Sequence, residues 1–233
     1  MNIDHSEVKK FANHADQWWD INGKLKTLHH INPTRVEFIK KQSSNLIGLD
    51  IIDIGCGGGI LTEALAKEGA NLTGIDMAKE SLEIAKLHML DKSNKLNINY
   101  VCSTAEEYAK NNHNKFDIVT CMELIEHIPD PQSLMISCLK LLKPGGDLFI
   151  STLNRNLKSY LTSIICAEYI LNLIPKGTHS YERFIRPSEL SMWAEQAGGK
   201  PKKLTGLKYN PLTKNCKLVE NVDINYILHI QKL

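Results

Sequence analysis

An α/β fold is what the sequence predicts, a mostly parallel sheet with helices on both faces. Three observations carry that expectation. From Asp50 to Thr152 short apolar runs alternate with longer amphipathic stretches. Four glycines cluster where the first of those runs gives way to a helical pattern. The chain then closes on two strand-like stretches with no helix between them. Strands alternating with helices of about 10–15 residues mark βαβ units and a parallel sheet, whereas two strands in succession predict an antiparallel hairpin, here on the sheet's edge.

Element by element, residues 1–48 read as helical and irregular by turns, with Trp18-Trp19 and a turn-like Ile31-Asn32-Pro33 as landmarks. Asp50–Gly55 is a buried strand, followed by the glycines and a helix through Lys67. Asn71–Asp76 is a second strand and Ala78–Leu90 a second helix. Ile98–Cys102 and Phe116–Cys121 are strands around a short helix that begins near Thr104. Gln132–Leu142 is helical and stops at Lys143-Pro144-Gly145-Gly146, a turn into the strand Asp147–Thr152. A long apolar helix, Leu157–Ile174, and a shorter one, Pro187–Ala197, precede the strands Lys203–Tyr209 and Asp223–Gln231. With no repeat and no low-complexity linker, residues 1–233 form a single domain in this reading, 1–48 a helical lid and 153–199 a helical insertion.

Composition narrows the class. A chain of 233 residues, 42% hydrophobic, has enough apolar content for a packed core and is not disordered. A net charge of +2 gives no reason to expect nucleic acid. That sum conceals an asymmetry: residues 153–217 carry net +7, leaving −5 for the remainder. Six cysteines at irregular spacings, without a C-x-x-C pair, read as reduced thiols, mostly buried, in a cytoplasmic protein. The polar start MNIDHSEVKK has no signal-peptide pattern, and no apolar run approaches the roughly 20 residues of a membrane span. The expectation is a cytoplasmic protein that at most lies on the inner membrane surface.

The glycine cluster carries the first chemical inference. Asp53-Ile54-Gly55-Cys56-Gly57-Gly58-Gly59 lets the backbone turn sharply and a ligand approach without a Cβ in the way. Asp76 ends the next strand, where a carboxylate can accept both hydroxyl hydrogens of a ribose. Loop and acid together predict a nucleoside cofactor. The dinucleotide pattern G-x-G-x-x-G fails at Ile60, and no Gly-Lys-Ser/Thr follows for a phosphate loop. What remains is acid-x-Gly-x-Gly-x-Gly, which resembles motif I of S-adenosylmethionine-dependent methyltransferases. The Pro-Gly-Gly turn and the terminal hairpin agree with a Rossmann-like, seven-stranded methyltransferase sheet with an antiparallel C-terminal strand.

Ligands of an open α/β sheet sit at the carboxyl ends of its strands. The Asn/Asp-Pro-Pro-Tyr/Phe box of nucleic-acid amino-methyltransferases is absent after the fourth strand, which argues against a nucleobase acceptor. Glu123, Glu126 and His127 stand there instead, at i, i+3 and i+4, one face of a helix if the stretch is helical. Such a trio suits a divalent cation, Mg²⁺ or another, or leaves His127 alone as a general base. Either use addresses the same difficulty. A phenol of pKa about 10 is only about 0.1% ionised at pH 7, and lowering it three units takes roughly 4 kcal/mol.

The chain is similar, over nearly its whole length, to the ubiquinone-biosynthesis O-methyltransferases. The matching stretches are Trp18-Trp19-Asp20, His30-Ile31-Asn32-Pro33-x-Arg35, residues 53–70, 119–133 and 142–156, AEYIL–PKGTH within 167–179, and Tyr209-Asn210-Pro211. The resemblance implies methylation of polyprenyl catechols, 2-polyprenyl-6-hydroxyphenol and 3-demethylubiquinol, with S-adenosyl-L-methionine. It implies cofactor contacts at Arg35, Gly55, Gly57, Asp76 and Met122, and a divalent metal at Glu123, Glu126 and His127. Association with other enzymes of the pathway is a further implication. Trp18-Trp19 is either a pair of core aromatics or a lid that excludes water. The apolar stretch 157–176 is either a core or dimer helix or an interfacial one, a use that a polyprenyl substrate and the +7 region favour. Alternative readings are a methyltransferase of a soluble acceptor, a nicotinamide-dependent oxidoreductase and a non-catalytic nucleoside-binding domain.

Overall fold

A computed structural model describes residues 2–43, 45–90, 96–162 and 181–233. Its helices are α1 (His5–Ala12), α2 (Lys26–Ser43), α3 (Ile60–Lys67), α4 (Lys79–Leu90), α5 (Ala105–Ala109), α6 (Pro131–Leu141), α7 (Leu157–Ser159) and α8 (Pro187–Gln196). The strands are β1 (Asp50–Ile54), β2 (Asn71–Asp76), β3 (Ile98–Cys102), β4 (Phe116–Met122), β5 (Leu142–Leu153), β6 (Gly199–Asn210), β7 (Asn215–Val219) and β8 (Asn225–Lys232). They form one sheet in the order β3-β2-β1-β4-β5-β8-β6-β7. The first five pair in parallel, and β8, β6 and β7 are joined antiparallel.

Alternation along the central strands builds two apolar layers. Ile52, Ile54, Val119, Cys121, Leu148, Ile150 and Leu228 face one way, with Leu134, Leu139 and Leu190 of α6 and α8. Ile51, Ile118, Phe149 and Ile227 face the other, with Phe38, Ile39, Leu61 and Leu65 of α2 and α3. Strands buried on both faces read as near-continuous apolar runs, which is why the parallel half is legible in the sequence. The strand order reverses between β1 and β4, so a crevice opens at their carboxyl ends.

Four expectations need correction. The sheet has eight strands, not seven, because Asn215–Val219 pairs with β6. The last strand is not on the edge: β8 lies between β5 and β6, and its buried run from Tyr226 to Ile230 takes a partner on each side. The Lys143–Gly146 turn is instead part of β5, because Leu142 already pairs with Phe116 and the register shifts once before Ile118. Ile31-Asn32-Pro33, expected as a turn, lies inside α2. Burial of Ile31, Asn32, Thr34, Arg35, Phe38 and Ile39 along that helix outweighs the hydrogen bond Pro33 cannot make. Of the apolar helix expected over 157–174, residues 163–174 lie outside the described residues.

One buried carboxylate fixes the end of β1. Asp53 accepts from Thr62 Oγ1 of α3 and Thr120 Oγ1 of β4, each at 2.7 Å. Burial pushes its pKa up from 3.8 to about 6, against the pull of the two threonine hydrogen bonds and the nearby Arg35. A folded-state value above the unfolded one means that this contribution to stability is full below about 3.8 and is lost as pH rises through 6. Asp53→Asn is therefore expected to lose that slope, so its melting temperature relative to the parent rises between those two pH values. Phe149, fully buried and edge-on to Phe38 at 5.9 Å, gives the packing counterpart. Phe149→Ala is expected to cost about 3–5 kcal/mol by urea denaturation, whereas Leu212→Ala, on a side chain 93% exposed, stays within about 0.5 kcal/mol of the parent.

Candidate active site

The glycine loop follows directly from β1 and its shape is set by three left-handed residues. Gly55, Gly57 and Gly59 have φ of +72°, +52° and +83°. The Gly55 and Cys56 amides donate to the Ile75 carbonyl at 2.9 and 3.1 Å, which ties the loop to the end of β2. Asp76 completes the closure, accepting from the Gly57 amide on Oδ2 and the Ala78 amide on Oδ1, both at 2.8 Å. Burial raises the Asp76 pKa, and the backbone donors Ala78, Gly57 and Met77 work against it.

A tryptophan pair docks the N-terminal segment onto this loop. A Cβ at Gly57 or Gly58 would fall inside the ring of Trp18, so these glycines serve protein packing. Trp18 Nε1 donates to Ser81 Oγ at 3.0 Å and Trp19 Nε1 to the Gly58 carbonyl at 2.9 Å. Trp19 also stacks face to face on His88, whose Nδ1 is 2.6 Å from the fully buried Glu63 carboxylate. Both are thus packed, and Trp18 in addition lines the cavity. Farther toward the N-terminus, Asn2 exchanges hydrogen bonds with the backbone of Asp130 at 2.8 Å in each direction, and Asp4 pairs with Arg183 at 2.9 Å. Helix α1 consequently forms a wall of the same cavity.

That cavity is lined by Arg35, Gly55, Gly57, Asp76, Met122, Glu123 and His127, which the fold brings together from α2, the glycine loop, β2, the end of β4 and the segment after it. Glu126 is absent from the lining and is buried behind it. Arg35 is 5% exposed; its Nη2 donates to Glu123 Oε1 at 3.1 Å, while its Nε has no hydrogen-bond partner among the described residues. Glu123 stands in the left-handed region at φ +54°, its amide held by the Ser151 carbonyl and its Oε1 by Ser151 Oγ at 2.7 Å. Glu126 accepts from Thr152 Oγ1 at 2.9 Å, its Oε1 has no partner among the described residues, and burial followed by the nearby Glu123 charge pushes its pKa up to about 8. His127 faces Glu7, Nδ1 to Oε2, at 2.9 Å.

The metal assignment of Glu123, Glu126 and His127 does not fit this arrangement. Only Ile125–His127 is helical, a single 3-10 turn that starts after Glu123, so the three do not share a helix face. Glu123 already holds the Arg35 cation, Glu126 turns to Thr152 and His127 to Glu7. Among the described residues no group of three His, Cys, Asp or Glu side chains is placed to hold a metal ion, Mg²⁺ included. Glu7, by contrast, was not visible as a site residue. Its only local signal is the capping pattern in which Asp4 accepts from the amides of Ser6 and Glu7, and that marks a helix start rather than a partner 120 positions away.

Comparison with known proteins agrees with this architecture. The family model described as a methyltransferase domain matches residues 25–201. Ubiquinone biosynthesis O-methyltransferases of Escherichia fergusonii and Shigella boydii serotype 18 are each 50% identical over 230 residues, covering 99% of this chain and 95% of the relative. Among solved structures, the magnesium protoporphyrin IX methyltransferase of Synechocystis PCC 6803 with bound SAH shares the fold at a TM-score of 0.72 and 18% identity, covering 99% of this chain and 100% of that one. The strand order, the glycine loop with its acid and the extent of these matches lead to one conclusion: the chain belongs to the ubiquinone biosynthesis O-methyltransferase family.

Proposed function

We propose that the chain methylates a hydroxyl of polyprenyl catechols, 2-polyprenyl-6-hydroxyphenol and 3-demethylubiquinol, as an S-adenosylmethionine-dependent O-methyltransferase of ubiquinone biosynthesis. The observation that carries this reading is the cavity in which the glycine loop, Asp76, Arg35, Met122 and His127 meet. S-adenosyl-L-methionine, when bound, supplies a methyl carbon on a sulfonium sulfur, so the chemistry is an in-line displacement by the acceptor oxygen. Asp76 takes the ribose hydroxyls. Arg35 directs its unpartnered Nε to the methionine carboxylate, a charge-assisted contact. Gly55 and Gly57 leave room for the approach, and Met122 lies beside the adenosine. His127, 6% exposed and at the cavity wall, receives the acceptor's hydroxyl proton.

Residues 1–48 act as a lid in this reading, and 153–199 as an insertion near the substrate entrance. Support for the lid is the placement of α1 and Trp18 on the cavity. No helix among the described residues is long and apolar enough to cross a membrane. Access to a polyprenyl tail is assigned to peripheral contact through 157–176, whose described beginning exposes Leu157 at 70% and Leu161 at 44%.

Labelled-methyl transfer onto a prenylated catechol and its unprenylated counterpart tests the substrate: transfer is expected to favour the prenylated one, and transfer to neither overturns the reading. Asp76→Ala is expected to weaken S-adenosylhomocysteine binding in titration calorimetry by about 1–3 kcal/mol, the range for a lost partner of buried polar groups; unchanged affinity would remove its ribose role.

A further inference from the structure

The fold sets the Glu7 carboxylate against the ring of His127. Their side chains are 12% and 7% exposed, with Oε2 and Nδ1 2.9 Å apart. The edge of Phe11 holds the ring from a second direction, at 5.3 Å between centroids and 87° between planes. The other Glu7 oxygen accepts from Lys10 Nζ at 2.7 Å. The His127 hydrogen bond is the first cause, and Lys10 a lesser one, of a Glu7 pKa lowered to about 2. Glu7, Phe11 and His127 line the same cavity as Asp76 and Met122.

A charged carboxylate only accepts hydrogen bonds. The proton of a neutral His127 ring therefore sits on Nδ1, and the lone pair sits on Nε2. We propose that Glu7 is a positioning residue for the O-methylation: α1 delivers the carboxylate that fixes the tautomer and orientation of His127. This rests on the reading of His127 as the base. In the step it serves, the hydroxyl proton of the acceptor passes to Nε2 while the oxygen lone pair forms the bond to the methyl carbon. The carbon–sulfur bond breaks with its electron pair kept by sulfur. The imidazolium formed lies against the Glu7 carboxylate, and its proton leaves to water with the product. Because α1 also walls the cavity, the contact with Glu7 that orients His127 belongs to that wall. The orientation of the base is in this way linked to closure over the cofactor.

Glu7→Gln keeps the size of the side chain and one acceptor oxygen while removing its charge. Its kcat on a prenylated catechol is expected to fall about 10- to 100-fold, part of the roughly 10²–10⁴ that a general base contributes. KM for S-adenosylmethionine, calorimetric affinity for S-adenosylhomocysteine and melting temperature are expected to stay near those of the parent. Long-range ¹H–¹⁵N spectra, with His127 assigned through His127→Asn, are expected to show Nδ1–H in the parent and a mixture of tautomers in Glu7→Gln. An Nε2–H ring in the parent overturns the proposal. So does an unchanged tautomer with kcat, affinity and melting temperature falling together, the pattern of a mere fastening of α1. If His127→Ala abolishes turnover while Glu7→Gln leaves kcat intact, Glu7 loses its role and the base remains. If His127→Ala turns over like the parent, the base reading itself falls.

Discussion

Trp18 lying on the backbone of Gly57 and Gly58 is the contact on which the rest of the site depends. It requires two adjacent residues without a Cβ, and those residues belong to the loop that also closes on Asp76. One bare stretch of backbone thereby both closes on Asp76 and seats the N-terminal segment. With Trp18 anchored through Ser81 and Trp19 through Gly58, the preceding residues are led across the cavity, and α1 arrives beside His127.

The electrostatics of the cavity follow from the same convergence. Asp53, Asp76, Glu123, Glu126 and Glu7 gather at the carboxyl ends of the strands, with Arg35 as the buried cation among them. Burial raises Asp53, Asp76 and Glu126, whereas the hydrogen bond to His127 lowers Glu7. Glu123 is central to this balance because it meets Arg35 and Ser151 at once, from a left-handed backbone conformation that its own amide bond to Ser151 helps to hold.

Legibility of the sequence differed by element for physical reasons. The parallel strands β1 to β4 could be read within a residue or so: β1 and β4, buried on both faces, are nearly continuous apolar runs, and β2 and the edge strand β3 stand out by their spacing between helical stretches. Pro33 misled because local propensity speaks for a turn, while the buried face of α2 speaks for a helix, and burial of that face outweighs the propensity. β7 was missed because Asn215–Val219 is an edge strand of five residues, half exposed, whose alternation over Asn215, Cys216, Lys217 and Leu218 is too short to stand out. At the site, Arg35, Gly55, Gly57, Asp76, Met122 and His127, singled out from motif and chain order, come to line one cavity. Glu123, Glu126 and His127 do not share the helix face expected of them because i, i+3, i+4 spacing has that meaning only on a helix, and the backbone at Glu123 is not helical.

By itself the sequence determined the βαβ order, the glycine loop with its acid, the family and thereby the chemistry of the cofactor. Those properties reside in residue types at short spacing, which the chain carries along its length. Tertiary structure alone decided the insertion of β8 between β5 and β6, the seating of Trp18 on the loop, the pairing of Arg35 with Glu123 and the meeting of Glu7 with His127. Each of these joins groups far apart in the chain, and which groups meet is set by how the buried surfaces pack rather than by any local pattern.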